Sequence, residues 1–330
     1  MISWLSDPTF VAGLFAGAAA TLIFLLGAAV CHLLSRDHYG LDHWKLNVQL
    51  PISLWMNLGY WKHTSDFTEA CRNYLKLVFE TANILADQRS IGILDVGIGC
   101  GDQTVTVLND IASRGAGSLA YIGVTNSQAQ LGVASRRCHD QQTKLETFHL
   151  FLADASKPNV WSEETRSAVD KLKDPKLKER WLLASDCLYH FSPSRMPLWQ
   201  YAARNLGMNF MGSDLCMSKT GGWRQKTLAR TIGVLMGCPW KAFLTEEEYR
   251  EQLVACGYDR ESIIINDVSQ NVFPGLVAFL ERQDKALAEN GISLGGGFRI
   301  ARKVFGWFAV SKVVRAVIVV ARLPKGKDAA

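Results

Sequence analysis

Apolar and polar positions follow two rhythms along the chain. Residues 10–34 hold no Asp, Glu, Lys or Arg, a run slightly longer than the roughly 20 residues that span a bilayer. From residue 93 onward, short β-branched runs alternate with stretches whose apolar positions recur at helical spacing. Residues 93–96, 119–124, 147–152, 181–185, 210–216, 262–268 and 313–321 predict strands. Helices are predicted from Asp102 through Ile111, over 196–206, from a capping box at Thr245-Glu246-Glu247-Glu248 to residue 256, and over 273–289. Residues 298–311 read as a basic amphipathic helix, because Arg299, Arg302 and Lys303 interrupt any second membrane span. The alternation predicts one doubly wound α/β domain.

The most informative stretch is 93–101, Ile-Leu-Asp-Val-Gly-Ile-Gly-Cys-Gly, where a strand runs into three glycines at alternate positions. Gly97, Gly99 and Gly101 tolerate positive φ and let the backbone approach a ligand closely. The helix from Asp102 then aims its N-terminal amides back at the turn, a setting for a nucleotide-like cofactor. A dinucleotide site needs GxGxxG and an acid about twenty residues on. Here Asp102 occupies the third-glycine position, and the next strand ends in Thr125 and Asn126 rather than an acid.

Asp95-x-GxGxG resembles the first motif of the class I S-adenosylmethionine (SAM) methyltransferases. Residues 123–130, Gly-Val-Thr-Asn-Ser-Gln-Ala-Gln, resemble the second motif of the branch with tocopherol-type, sterol and cyclopropane-fatty-acid methyltransferases, keeping Thr125, Ser127 and Gln130 and departing at Asn126. Leu152-Ala153-Asp154-Ala155 matches a third position, where the family holds the adenine amino group with an acid. The resemblance implies a Rossmann-like seven-stranded methyltransferase sheet with helices on both faces, and the apolar run at 10–34 adds one N-terminal transmembrane helix before it. It also implies SAM as cofactor, held by Asp95, Gly97, Gly99, Gly101, Thr125, Asn126, Gln130, Asp154 and Ala155. A segment before the core, ending Gly59-Tyr60-Trp61, resembles the glycine-tyrosine-aromatic cap of the tocopherol-type enzymes, which adds Tyr60 and Trp61 as cofactor contacts. Packing of an N-terminal helix on the core, or contact with a membrane surface, explains these aromatics equally.

At 330 residues and 48% hydrophobic, the chain can bury a large core. A net charge of +5 with basic residues spread out argues against nucleic acid as a partner. Eight cysteines without CxxC pairs or zinc-spaced histidines predict reduced core residues, no disulfide and no metal. The apolar run at 10–34 exceeds the roughly 7 to 15 residues of a signal-peptide core and lacks a basic segment before it, so it reads as an anchor. Trp4 before it, and Tyr39 and Trp44 after it, suit interfacial belts. Arg36 and Lys45 follow while only Asp7 precedes, which places the catalytic domain in the cytosol. The expected organisation is a tail at 1–9, the anchor at 10–34, an interfacial or cap segment at 35–70, the methyltransferase domain at 71–323 and a tail at 324–330.

Methyl transfer from a sulfonium needs an aligned acceptor more than catalytic side chains. For an acceptor that must lose a proton, Asp186, Tyr189 and His190 at the end of the fourth strand stand at the carboxyl edge where ligands bind. The imidazole of His190 suits a base at cellular pH, and a histidine that shapes the pocket is the structural alternative. The cyclopropane-fatty-acid enzymes carry Glu-His where this chain has Tyr189-His190, which argues against cyclopropanation. Residues 218–244, with Trp223, Met236, Trp240 and Phe243, fall where this fold carries a substrate lid. The expectation is a single-pass membrane methyltransferase, in the endoplasmic reticulum, acting on a lipophilic small molecule or lipid. A catalytically silent tethered binding subunit is the alternative. A membrane-bound short-chain reductase fails because Tyr74 and Lys76 do not give Tyr-x-x-x-Lys.

Overall fold

The computed structural model describes residues 8–34, 52–84, 90–112, 118–139, 145 and 147–324. The aromatic and charged residues expected to flank the anchor, Trp4, Asp7, Arg36, Tyr39, Trp44 and Lys45, lie outside them. The chain falls into two compact units, Met1–Ile52 and Ser53–Ala330. The first holds α1, Pro8–Leu34, a helix of 27 residues and so about 40 Å long. Its stretch Pro8–Gly27 is long and apolar enough to cross a membrane, and none of that stretch is buried.

The second unit is built on an eight-stranded sheet ordered β3-β2-β1-β4-β5-β8-β7, with β6 beside β5. The strands are β1 Ile91–Val96, β2 Leu119–Thr125, β3 Thr147–Leu152, β4 Glu179–Ser185, β5 Asn209–Met217, β6 Leu244–Thr245, β7 Ile264–Asp267 and β8 Val314–Ala321. β1 to β5 run parallel, and β8 is antiparallel to both β5 and β7. The helices are α2 Phe67–Ala82, α3 Asp102–Ala112, α4 Gln128–Arg137, α5 Glu163–Asp170, α6 Met196–Gln200, α7 Trp223–Leu235, α8 Glu246–Cys256, α9 Ser269–Glu289 and α10 Gly296–Ser311. Burial of β1 on both faces follows from its unbroken apolar run, Asp95 excepted. One face packs Tyr74, Phe79, Phe273, Phe305 and Phe308. The other packs Val169, Trp199, Leu253 and Tyr249.

Two features differ from the expected seven-stranded plan. β6 is an eighth, two-residue strand, formed because the extended N-cap Thr245 lies alongside Cys216 and Met217 at the end of β5. Its side chain accepts the Glu248 N–H while Glu248 returns to the Thr245 backbone, which is the capping box legible in the sequence. The second difference is α7, which stands inside the segment expected as an insert. It buries only its small residues Ala229 and Gly233, so its large apolar side chains point outward.

Candidate functional site

Strand order reverses at β1, which has β2 on one side and β4 on the other. Loops leaving β1 and β4 therefore diverge and leave a crevice beyond their carboxyl ends. A cavity of about 520 Å³ fills it, within the size range of small-molecule sites.

The first wall is the β1–α3 turn. Gly97 and Gly99 line the cavity with φ of +80° and +57°, values only glycine adopts without strain. A Cβ on Gly99 would lie 3.0 Å from the Met56 Cε, closing the space between turn and cap. Gly101 does not line the cavity. Its φ is +90°, and a Cβ there would stand 2.9 Å from the Ala134 Cα, so it serves the close packing of α3 on α4. Asp95 is also absent from the lining and is fully buried beneath the turn. Tyr121 donates to its Oδ2 at 2.6 Å, and the Gln103 amide donates to Oδ1 at 2.8 Å and Oδ2 at 3.0 Å. Burial pushes this carboxyl up to about 7 against those donors. Asp95 thus clamps β1 to β2 and α3 beneath the turn and does not itself line the cavity.

β2 and β3 supply the second wall. Thr125, Asn126, Gln130, Asp154 and Ala155 all line the cavity. Thr125 Oγ1 donates to Gln130 Oε1 at 2.8 Å and accepts the Ser127 N–H at 3.2 Å, which fixes the turn into α4. Asp154 Oδ1 accepts the Ser156 N–H at 2.9 Å and the Ser156 hydroxyl at 2.6 Å, and Lys157 Nζ stands 3.2 Å from Oδ2. Burial raises this carboxyl, but the Ser156 and Lys157 donors outweigh it and hold the group below its ordinary value. An ionised acceptor is thereby kept at the cavity wall.

The cap meets the cavity through the middle of its segment. Leu54, Trp55, Met56 and Asn57 line the cavity, whereas Tyr60 and Trp61 do not. Trp61 donates its indole N–H to the Leu58 carbonyl at 2.9 Å and stacks near Phe67 and Phe279. A Cβ on Gly275 would overlap its side chain at 2.2 Å, so Trp61 fills a notch in α9. The Tyr60 hydroxyl lies 3.5 Å from Asn271 Nδ2, also on α9. Both aromatics anchor the cap from behind. Met56, 58% exposed, presents its side chain to the cavity, whereas Leu58 two positions on is buried.

β4 provides the remaining wall, and Asp186, Tyr189 and His190 all line the cavity. Asp186 has φ +58°, a left-handed conformation that costs about 1 to 3 kcal/mol for a residue with a side chain. Its N–H donates to the Ser213 carbonyl at 2.9 Å. Its Oδ2 accepts the Leu58 N–H at 2.8 Å, and its Oδ1 accepts the Tyr189 hydroxyl at 3.0 Å. The strained residue latches the cap to β4 and orients Tyr189 at once. Burial pushes its carboxyl up to about 7, against the opposing donors Tyr189 and Leu58. His190 follows at the mouth, its ring 4.5 Å from that of Tyr189 and its Nδ1 3.6 Å from Cys238 Sγ. Partial enclosure pulls its imidazole below the ordinary value, which keeps it neutral and able to accept a proton at neutral pH.

Neither a family model nor a curated protein matches the sequence. Solved structures do match in three dimensions. Mycolic acid cyclopropane synthase CmaA1, complexed with SAH and CTAB, superposes with a TM-score of 0.57 at 13% identity over 81% of this chain and 89% of that one. A geranyl diphosphate methyltransferase in complex with SAM superposes at 0.51, with 14% identity over 81% and 97% of the two chains. This chain has the methyltransferase fold. The 4+2 cyclase SpnF superposes at 0.55, with 18% identity over 82% and 89%, so the chemistry performed on this fold has to be argued from the site.

Proposed function

We propose that the chain is a membrane-anchored methyltransferase that moves the methyl group of SAM to a hydrophobic small molecule or lipid. The observation that carries this reading is one cavity at the switch point of the sheet, with a glycine turn and an ionised Asp154 on one side and Tyr189 and His190 on the other. The residues fit the cofactor. Gly97 and Gly99 leave room for close backbone approach, Asn126 and Gln130 offer polar contacts, and Asp154 offers a carboxylate to an exocyclic amine. When bound, SAM supplies an electrophilic methyl on a sulfonium.

The chain's own groups then position and deprotonate an acceptor. Cap residues Trp55 and Met56 close the cavity from above, and Asp186 holds that cap through Leu58. His190 takes the acceptor's proton, while Tyr189, oriented by Asp186, fixes the acceptor beside it. Most of the rate comes from alignment, which is the main demand of an in-line displacement.

Two features support a membrane setting and a lipophilic acceptor. The stretch Pro8–Gly27 of α1 is long and apolar enough to cross a membrane. The lid exposes Trp223 by 72%, Leu235 by 82% and Trp240 by 48%, side chains suited to a bilayer interface. The positive-inside rule applied to Arg36 and Lys45 supports a cytosolic catalytic unit; the endoplasmic reticulum is our proposed membrane. Incubating membranes that contain the full chain with methyl-labelled SAM should produce a labelled, lipid-soluble product. Label confined to protein or water-soluble species would refute the acceptor class. A catalytically silent binding subunit predicts SAM affinity without labelled product.

A further inference from the structure

A second cavity, of about 330 Å³, adjoins the first where Phe191 lines both. It lies between α7, α8 and the loop before β6, and its walls include Arg195, Arg230, Trp240, Lys241 and Glu248. These charges are unequally occupied. Arg195 is neutralised by Asp214 and also donates to the Ala242 carbonyl, with Tyr249 completing the cluster. Glu248 Oε2 accepts the Thr245 N–H at 2.7 Å and its hydroxyl at 2.8 Å, so it is engaged in the cap of α8.

The side chains of Arg230 and Lys241 make no hydrogen bond or ion pair among the described residues. The Arg230 Nε is buried without a partner and, unlike the other such atoms among the described residues, belongs to a side chain that lines this cavity, an unmet donor that costs about 1 to 3 kcal/mol. The sequence around them strengthens the point. Residues 215–245 hold five cations, Lys219, Arg224, Lys226, Arg230 and Lys241, and no Asp or Glu. Apolar Phe191, Trp240 and Phe243 share the same cavity.

From this arrangement we infer that the second cavity holds an anionic group of the methyl acceptor, a phosphate or carboxylate attached to an apolar body. Resting on the methyltransferase reading, the inference narrows the acceptor to an amphiphilic anion. The guanidinium of Arg230 grips two anionic oxygens in parallel, Lys241 adds a point charge at the rim, and the apolar body passes Phe191 toward His190.

The test uses the full chain in non-ionic detergent micelles, titrated calorimetrically with hexyl phosphate, hexanol and inorganic phosphate, with SAM titrated in parallel. Hexyl phosphate should bind at least tenfold more tightly than either hexanol or inorganic phosphate. Arg230→Gln should weaken it by at least tenfold and leave SAM affinity unchanged, and Arg230→Lys should restore part of the loss. Equal affinity for hexanol, or no effect of Arg230→Gln, overturns the inference. Inorganic phosphate binding as tightly as hexyl phosphate also overturns it, because the site would then serve free phosphate rather than an acceptor. Loss of SAM binding in the wild-type chain would refute the methyltransferase reading, while the hexyl phosphate titration still decides the subsite.

Discussion

The two halves of the central crevice are built by opposite means. Around β1 to β3, the cavity wall is backbone and short side chains whose positions follow from neighbours in sequence: Gly97 and Gly99 in one turn, Thr125 to Gln130 in the next, Asp154 to Lys157 in the third. Around β4 and the lid, Asp186 and His190 each reach a distant partner. Asp186 reaches Leu58 at a separation of 128 residues, and His190 reaches Cys238 at 48. The first half suits a ligand that is always the same, and the second can be altered residue by residue to suit a particular acceptor.

That contrast breaks most sharply at His190. If the β4 half carries the chemistry and the glycine half carries the cofactor, His190→Ala should lower turnover about 10²- to 10⁴-fold, the range for loss of a general base, with SAM affinity unchanged by calorimetry. Equal turnover would return His190 to pocket shaping. The converse experiment is Gly99→Val. A β-branched residue at φ +57°, with its Cβ 3.0 Å from Met56 Cε, should weaken SAM binding roughly a hundredfold, about 2.7 kcal/mol. Wild-type affinity in that variant would remove the turn from the cofactor site. Asp154→Ala should cost less, about tenfold in SAM affinity, because one charge-assisted hydrogen bond is lost from a partly exposed group. An unaltered isotherm would show that the Asp154 carboxylate does not touch the cofactor.

What the sequence disclosed divides along the same line. The turn after β1, the capping box at Thr245 and the order of strands were legible because each depends on local rules: positive φ at glycine, reciprocal capping, and two-residue or helical periodicity. The place of Trp61 is not legible in the sequence, because the notch that receives it is made by Gly275, on a helix far along the chain. The partners of Asp95 are hidden for a related reason. The motif locates it beside the turn, but only the pairing of β1 with β2 shows that the Tyr121 hydroxyl lies beneath and uses its carboxylate. α7 escaped notice because a helix buried only at Ala229 and Gly233 presents no inward apolar stripe. Its outward large residues resemble a loop of hydrophobic insertions until the backbone is seen.

The smallest expected effect tests whether Asp95 belongs to the frame or to the ligand. Its carboxyl is pushed up to about 7 by burial, against about 3.9 in an unfolded chain. Between those values the folded protein holds a proton that the unfolded chain has released, so stability declines as pH rises across the window. The contribution is fully present below about pH 4 and lost above about 7. Asp186, pushed up to about 7 as well, acts with the same sign. Asp95→Asn keeps a neutral group at all pH but sets an amide donor against the Gln103 and Tyr121 donors, a penalty that does not vary with pH. Melting temperatures of variant and wild type, measured from pH 5 to 8, should therefore draw closer, or cross, as pH rises, and the difference should level off above 7. A difference constant across that range would mean that the Asp95 carboxyl is already ionised at pH 5, in contact with water or a cation. In that case Asp95 would face the ligand side of the turn after all.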